Sequence, residues 1–234
     1  MRFRKDPHLK PGVAFKRVMK DSALFEDRDD AARQLVRALA RYAKSNPLVL
    51  AIPRGAVPMG RILAEELHGE LDVVLVRKLR APANPELAIG AIDETGWAYL
   101  AEHAFGEARH SQYVEREKQA QLEVLRARRE AYTPARAPLA VEGRTVIVVD
   151  DGLATGSTMI AALHSARAKD PKRLVCAVPV AAADSLERVR PHADEIVCLH
   201  APSYFFAVGQ FYASFPQVED DEVIALLSSK ACTP

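Results

Sequence analysis

The chain has 234 residues, 49% of them hydrophobic, and a formal net charge of +1. That length suits one α/β domain with decorations, or at most two small domains, and the apolar fraction excludes disorder throughout. The near-neutral balance gives no bulk attraction to nucleic acid, and no apolar run approaches the ~20 residues of a membrane span, so neither nucleic acid nor membrane is an expected partner.

Charge is unevenly spread. Met1–Ser22 holds Arg2, Arg4, Lys5, Lys10, Lys16, Arg17 and Lys20 against Asp6 and Asp21, a balance of +5 that leaves −4 for the remainder. With no apolar segment of a secretory signal, residues 1–22 read as a basic extension, either solvated or an arm for an acidic partner. The folded domain is expected over residues 23–234. Cys176, Cys198 and Cys232 lack metal-ligand spacing, and two of them fall in apolar runs, which reads as reduced thiols in a cytoplasmic protein.

Asp29 or Asp30 can cap a helix running to about Ala43, with Leu35, Leu39 and Tyr42 on one face. Leu48–Ile52 reads as a buried strand, Pro53-Arg54-Gly55 as a turn, and Pro58 as an early residue of a helix ending near Leu67. Leu71–Val76 is a second buried strand. Arg77–Leu87, rich in proline and charge, reads as a loop. Ala88–Asp93 and Trp97–Ala101 make a hairpin around Glu94-Thr95-Gly96. Glu107–Ala131 is a charged helix whose thin stripe of Tyr113, Leu122 and Leu125 places it at the domain edge. Then come strand Thr145–Val149, helix Ser157–Lys169, strand Leu174–Val180, helix Asp184–Arg190 and strand Glu195–Leu199. An aromatic, irregular tail over Ala201–Phe215 and a last helix over Asp220–Ser228 follow.

This alternation predicts a parallel sheet with helices on both faces, which binds ligands beyond the carboxyl ends of its strands. Arg54, the Arg77–Lys78 pair and Asp150–Asp151 all fall just past predicted strand ends, which points to one shared site. The stretch Val146–Met159 is the most informative. A β-branched run ends in two carboxylates, followed by Thr155-Gly156-Ser157-Thr158 at the start of a helix. Hydroxyls and free N–H groups there can take a phosphate, and the carboxylates can accept hydrogen bonds from sugar hydroxyls. No Gly-x-x-x-x-Gly-Lys-Ser/Thr loop is present, which argues against NTPase chemistry of that type. The histidines show no metal spacing, and His200 reads as structural or part of a polar rim.

The Val146–Met159 block resembles the 5-phosphoribosyl 1-diphosphate (PRPP) signature of the type I phosphoribosyltransferases. The Phe25-x-Asp27-Arg28 start, the Pro53-Arg54-Gly55 loop and the Phe205-x-Ala207-Val208-Gly209-x-Phe211-Tyr212 end resemble an uncharacterised bacterial branch of that family. The resemblance implies an α/β fold with a mostly parallel central sheet flanked by helices and a small hood from terminal segments. It implies transfer of the phosphoribosyl group from PRPP to a nitrogen acceptor with release of pyrophosphate. Asp150 and Asp151 would bind the ribose 2- and 3-hydroxyls. Ala154, Thr155, Gly156, Ser157 and Thr158 would cradle the 5-phosphate. Arg54 and Gly55 would meet the diphosphate, with Arg77, Lys78 and Arg80 on a closing loop above it. Lys78, Asp150 and Asp151 would carry catalysis, and Mg²⁺ would bridge diphosphate and ribose oxygens, reaching the two acids only through PRPP. Tyr204 or Phe205 would stack on the acceptor, and Glu86 and Asp93 are candidate acid–base groups. The family also suggests a homodimer.

One position departs from a familiar pattern. Hypoxanthine–guanine enzymes carry an acid where this chain has Ala154, which counts against a 6-oxopurine acceptor and leaves the acceptor open. Two other readings share the ribose site. One is a PRPP-binding regulator, favoured by the basic extension. The other is a hydrolase or phosphorylase, in which water or phosphate replaces the acceptor.

Overall fold

The computed structural model describes residues 23–81, 84–101, 112–133 and 138–228, except for the side chains of residues 84–87. The basic extension, Cys232 and the Glu86 side chain therefore lie outside what is described. In chain order the elements are α1 (Arg28–Leu39), β1 (Leu48–Ala51), α2 (Val57–Glu66), β2 (Glu70–Val73), β3 (Val76–Ala81), β4 (Asn84–Asp93), β5 (Ala98–Leu100), α3 (Gln112–Tyr132), β6 (Thr145–Val149), α4 (Ser157–Arg167), β7 (Arg173–Val180), α5 (Ala183–Val189), β8 (Glu195–His200) and α6 (Asp220–Ser228).

Five strands form one parallel sheet in the order β2-β1-β6-β7-β8. Its central strands are continuous apolar runs because both faces are covered. Alternate side chains divide the core in two. Val49, Ala51, Ile147, Val149, Val175 and Ala177 face one apolar cluster, shared with Leu35 and Leu39 of α1 and Leu63 of α2. Leu48, Leu50, Val146, Val148, Leu174 and Cys176 face the other, filled by Met159, Ile160 and Leu163 of α4. Cys176 and Cys198 are free thiols, and burial raises the pKa of both.

The strand order places a topological switch point between β1 and β6. From β1 the chain winds outward to β2, and from β6 it winds the other way to β7 and β8. A crevice opens where the two directions part, at the carboxyl ends of those strands. The Pro53-Arg54-Gly55 turn and the Asp150–Asp151 pair are the segments that leave β1 and β6.

Helix α1 begins earlier than the acids suggested. Asp27, not Asp29 or Asp30, is the N-cap, and its Oδ1 accepts the Asp30 N–H at 2.9 Å while Asp30 Oδ2 accepts the Glu26 N–H at 3.2 Å. Three nearby acids can each cap a helix, and tertiary packing chose the one that makes Arg28 the first helical residue.

The segment expected to be a loop over Arg77–Leu87 is strand in its described residues, 77–81 and 84–87. Strands β3 and β4 pair antiparallel from Val76↔Asp93 to Ala81↔Asn84, with shifts in register around Arg80, and β5 adds a third strand. Arg77 and Lys78 therefore sit within a strand of a second, three-stranded sheet instead of just past the end of β2. Charged, proline-containing sequence is compatible with a strand here because the ribbon is narrow and one face is open.

The ribbon is tied down at its far end. Asp93 is fully buried, and its Oδ1 accepts the Thr95 N–H, the Thr95 hydroxyl and the Trp97 N–H. Trp97 stacks on His164 of α4 with ring centroids 3.6 Å apart. Arg129 of α3 grips Glu94 through two hydrogen bonds of 2.9 Å. Asp93 is thus an anchor of the hairpin turn and not an accessible acid–base group.

Candidate active site

The site begins with the loop after β6. Gly156 caps α4 at φ +78°, a left-handed conformation that costs an L side chain but not glycine. Among the described residues no acceptor is found for the backbone N–H groups of residues 154–159. Unpaired amides at the start of an 11-residue helix form an anion-binding concavity.

The carbonyls of this loop are held away from it. Ser185, fully buried at the start of α5, donates from its hydroxyl to the Ala154 carbonyl at 2.7 Å. Arg188 donates to the Thr155 carbonyl at 3.3 and 3.2 Å and to Ser185 Oγ at 2.9 Å. Each oxygen turned outward leaves its N–H neighbours facing in. Neither residue was singled out in the sequence, because the short α5 segment carries no motif. Ser185→Ala is expected to destabilise the protein by about 0.5–1.5 kcal/mol, since the Ala154 carbonyl loses the hydroxyl that holds it. A urea-unfolding midpoint unchanged from wild type would count against that role.

The two acids have different surroundings. Asp150 Oδ1 accepts the Asp151 N–H at 2.9 Å, while its other oxygen has no hydrogen-bond donor among the described residues. Burial first, and then the charge of Asp151, pushes the Asp150 carboxyl well above the ordinary carboxylate range, against the pull of Lys78 and Arg28. Burial also raises Asp151, opposed chiefly by Arg28. Arg28 places Nε and Nη2 on the single oxygen Oδ2 of Asp151, at 3.0 and 2.9 Å. Its third nitrogen donates to the Pro216 carbonyl at 2.6 Å, and the guanidinium lies 3.7 Å from the centre of the Phe215 ring. Among the described residues no other residue donates to Asp151 Oδ1.

The end motifs of the chain meet over this acid. Phe25 forms an isolated parallel bridge with Tyr212, and their rings pack 5.2 Å apart. The Tyr212 hydroxyl donates to the Asp151 carbonyl at 2.7 Å. His200 packs edge-on against Phe25 and is a structural contact. The Phe-x-Asp-Arg start and the aromatic end thus form one device that grips Asp151.

The β1 turn completes the floor. The Pro53–Arg54 peptide is cis. A Cβ on Gly55 would lie 2.4 Å from Asp151 Oδ2, so only glycine lets the turn approach the acid. Arg54 is held by Glu219 at 3.2 Å and by Asp220 of α6 at 3.6 Å. Asp220 also accepts a short hydrogen bond from Tyr132, whose pKa is pushed up to about 12, mainly by burial.

Beside the floor is a cavity of about 320 Å³. Pro53 and Thr158 border it from the sheet side, Arg77, Lys78 and Arg80 from the ribbon, and Arg128 from α3. The structure thus brings Arg77, Lys78 and Thr158 to one cleft, together with Arg80. Arg128 escaped the sequence reading because it is one of several arginines on a charged helix. Tyr204 and Phe205, expected at an acceptor pocket, do not border this cavity. Tyr204 is 80% exposed, and Phe205 packs 5.0 Å from Phe211. Proximity to the end of β8 suggested them, but Phe205 is half-buried against the core beside Phe211, while Tyr204 and Phe206 stay outside.

Comparisons with known proteins bear on the family and the fold. Residues 17–215 match the family model described as the phosphoribosyl transferase domain. Two Mycobacterium tuberculosis proteins, Rv0571c and MT0597, provisionally named phosphoribosyl transferases, are each 43% identical over 205 residues, or 87% of this chain. The chain spans about half the length of these relatives, 46%. The crystal structure of TT1426 from Thermus thermophilus is 45% identical, covers 87% of this chain and 97% of its own, and superposes with a TM-score of 0.73. No described helix is long and apolar enough to cross a membrane. By family match and by fold, the chain belongs to the phosphoribosyl transferase domain family.

Proposed function

We propose that the protein transfers the 5-phosphoribosyl group of PRPP to a nitrogen acceptor and releases pyrophosphate. The observation that carries this reading is the convergence, at one switch point, of an amide-lined loop, two carboxylates with free oxygens and a cationic ribbon. The N–H groups of residues 154–159 suit the 5-phosphate, with Ser185 and Arg188 setting their direction. The free oxygens of Asp150 and Asp151 suit the ribose 2- and 3-hydroxyls. Arg54, Arg77 and Lys78 suit the diphosphate, for which Arg54 would exchange its contacts with Glu219 and Asp220.

Residues and chemistry also fit Mg²⁺. Among the described residues there is no cluster of three or more metal-ligating side chains. Mg²⁺ readily takes substrate oxygens as ligands, and Asp150 and Asp151 would act on it indirectly, through the PRPP they hold. When bound with PRPP it would neutralise charge on the leaving diphosphate.

In the reaction the C1–O bond breaks and pyrophosphate leaves with its electron pair. The acceptor nitrogen supplies the pair for the new C1–N bond and loses its proton to solvent. Asp150 lies where positive charge develops at the ribose, and Lys78 lies where negative charge develops on the leaving group, so preorganised charge serves both ends of the breaking bond.

The test is calorimetric binding of PRPP with Mg²⁺, followed by pyrophosphate release against a panel of bases and amines. PRPP binding that is lost in Asp150→Asn, with acceptor-dependent pyrophosphate release, is expected. No PRPP binding overturns the reading, and pyrophosphate release with PRPP alone would assign the protein to hydrolysis instead.

A further inference from the structure

The cavity between ribbon and α3 has an unusual charge arrangement. Four cations border it (Arg77, Lys78, Arg80 and Arg128), and among the described residues no acid does. Elsewhere arginines face carboxylates closely: Arg28, Arg54, Arg129 and Arg167 each have one within 2.7–3.2 Å. Among the described residues none of the four cavity cations has such an ion pair. Arg77 donates instead to the neutral Gln121 at 2.7 Å. The nearby Glu117 spends Oε1 on the Arg80 N–H and on Gln121 Nε2. Burial, and then the charges of Arg128 and Arg80, hold the Arg77 guanidinium below its ordinary value. The charge of Glu117 opposes this in part, but four cations around a cavity whose described lining holds no acid still favour binding of an anion.

The four cations divide into two groups. Lys78 acts electrostatically on both Asp150 and Asp151, which puts it toward the ribose. Arg77 donates to Gln121 and the Arg80 N–H to Glu117, both on α3, the helix that also carries Arg128. With Lys78, Arg77 and Arg54 assigned to a diphosphate, Arg80 at the end of the ribbon and Arg128 on α3 are left as further positive charge. Among the described residues the cavity also lacks the aromatic lining that would suit a neutral flat base.

We propose that this α3 side of the cleft is the acceptor subsite and that the acceptor is an anion, a nitrogen compound bearing a carboxylate or phosphate that Arg128 and Arg80 bind. The proposal rests on the donor reading above and adds the class of the second substrate. A guanidinium forks onto either anionic group with two parallel hydrogen bonds, which gives direction as well as affinity.

The experiment uses the full chain saturated with PRPP and Mg²⁺ and titrates matched pairs that differ in charge: nicotinate with nicotinamide, orotate with uracil, anthranilate with aniline, and, for phosphate, phenyl phosphate with phenol. Binding is read by calorimetry and by thermal shift. At least one charged member is expected to bind roughly tenfold or more tightly than its neutral counterpart. Arg128→Gln should erase that preference while the PRPP Kd stays within about twofold, whereas Arg77→Gln should weaken PRPP itself. A carboxylate acceptor and a phosphate acceptor are told apart by which pairs respond. Neutral members binding as well as charged ones, or no charged member binding, overturns the proposal. Equal loss of PRPP affinity in Arg128→Gln and Arg77→Gln also overturns it, by assigning Arg128 to the diphosphate. Failure of PRPP to bind the wild-type chain overturns the donor reading first and this inference with it.

Discussion

Replacing Arg28 by methionine is expected to lower the melting temperature by ~6–20 °C. Arg28 and Asp151 form a largely buried pair, with side chains 10% and 16% exposed. Removing one member of such a pair strands the other charge and costs about 3–5 kcal/mol. For a protein of this size each kcal/mol moves the midpoint by ~2–4 °C. The loss extends beyond the ion pair, because Arg28 also holds the Pro216 carbonyl and covers the Phe215 ring. The double variant Arg28→Met with Asp151→Asn should recover part of the loss, since the uncompensated charge is gone, although the Pro216 contact is not restored. Scanning calorimetry of both variants beside wild type checks this. A drop of less than ~2 °C in Arg28→Met would mean that Asp151 does not depend on Arg28.

Asp150→Asn is expected to do two opposite things, abolishing activity while stabilising the fold at neutral pH. The Asp150 pKa is raised in the folded protein, by burial first and by Asp151 second. A carboxylate whose folded pKa exceeds its ordinary 3.8 binds more protons folded than unfolded across the interval between the two values. Its contribution to stability therefore falls as pH rises through that interval, and above it the ionised pair is a standing cost. Asparagine removes this charge and still offers an oxygen to the Asp151 N–H. The midpoint at pH 7 should rise by ~1–8 °C, with the gain vanishing as pH falls toward ~4. Activity should drop on the order of 10²-fold or more, since the ribose loses a positioned, charged acceptor. Melting curves across pH and turnover with PRPP read the two effects separately. A variant that is both less stable at pH 7 and fully active would contradict both halves.

Most of the central sheet was legible from residue type and spacing. Thr145–Val149 and Asp220–Ser228 have the bounds that their patterns predict, because buried parallel strands are continuous apolar runs and a helix start rich in acids marks itself. The acid pair and the Thr-Gly-Ser-Thr turn were legible as well, since a strand end followed by hydroxyls and glycines has few other uses. The ribbon was not. Arg77 to Ala81 has loop composition, and its strand state depends on the pairing of Val76–Ala81 with Asn84–Asp93 and on the hold of Asp93, Trp97 and Arg129 at the far end. The helix cap was ambiguous for a similar reason, as Asp27, Asp29 and Asp30 are locally equivalent.

By itself the sequence determined the strand, loop and helix start of the β6–α4 segment proposed to hold the donor, because that segment is built from consecutive residues. Only the tertiary structure decided what surrounds it. Arg28 and Asp151 are 123 positions apart and meet through two hydrogen bonds on one carboxylate oxygen. Arg54 and Glu219 are 165 apart. Arg128 joins Arg77 and Arg80 around a cavity, while Tyr204 is left at the surface. Which cations are neutralised and which stay unpaired depends on distances across the fold, and neither spacing nor composition encodes those distances locally.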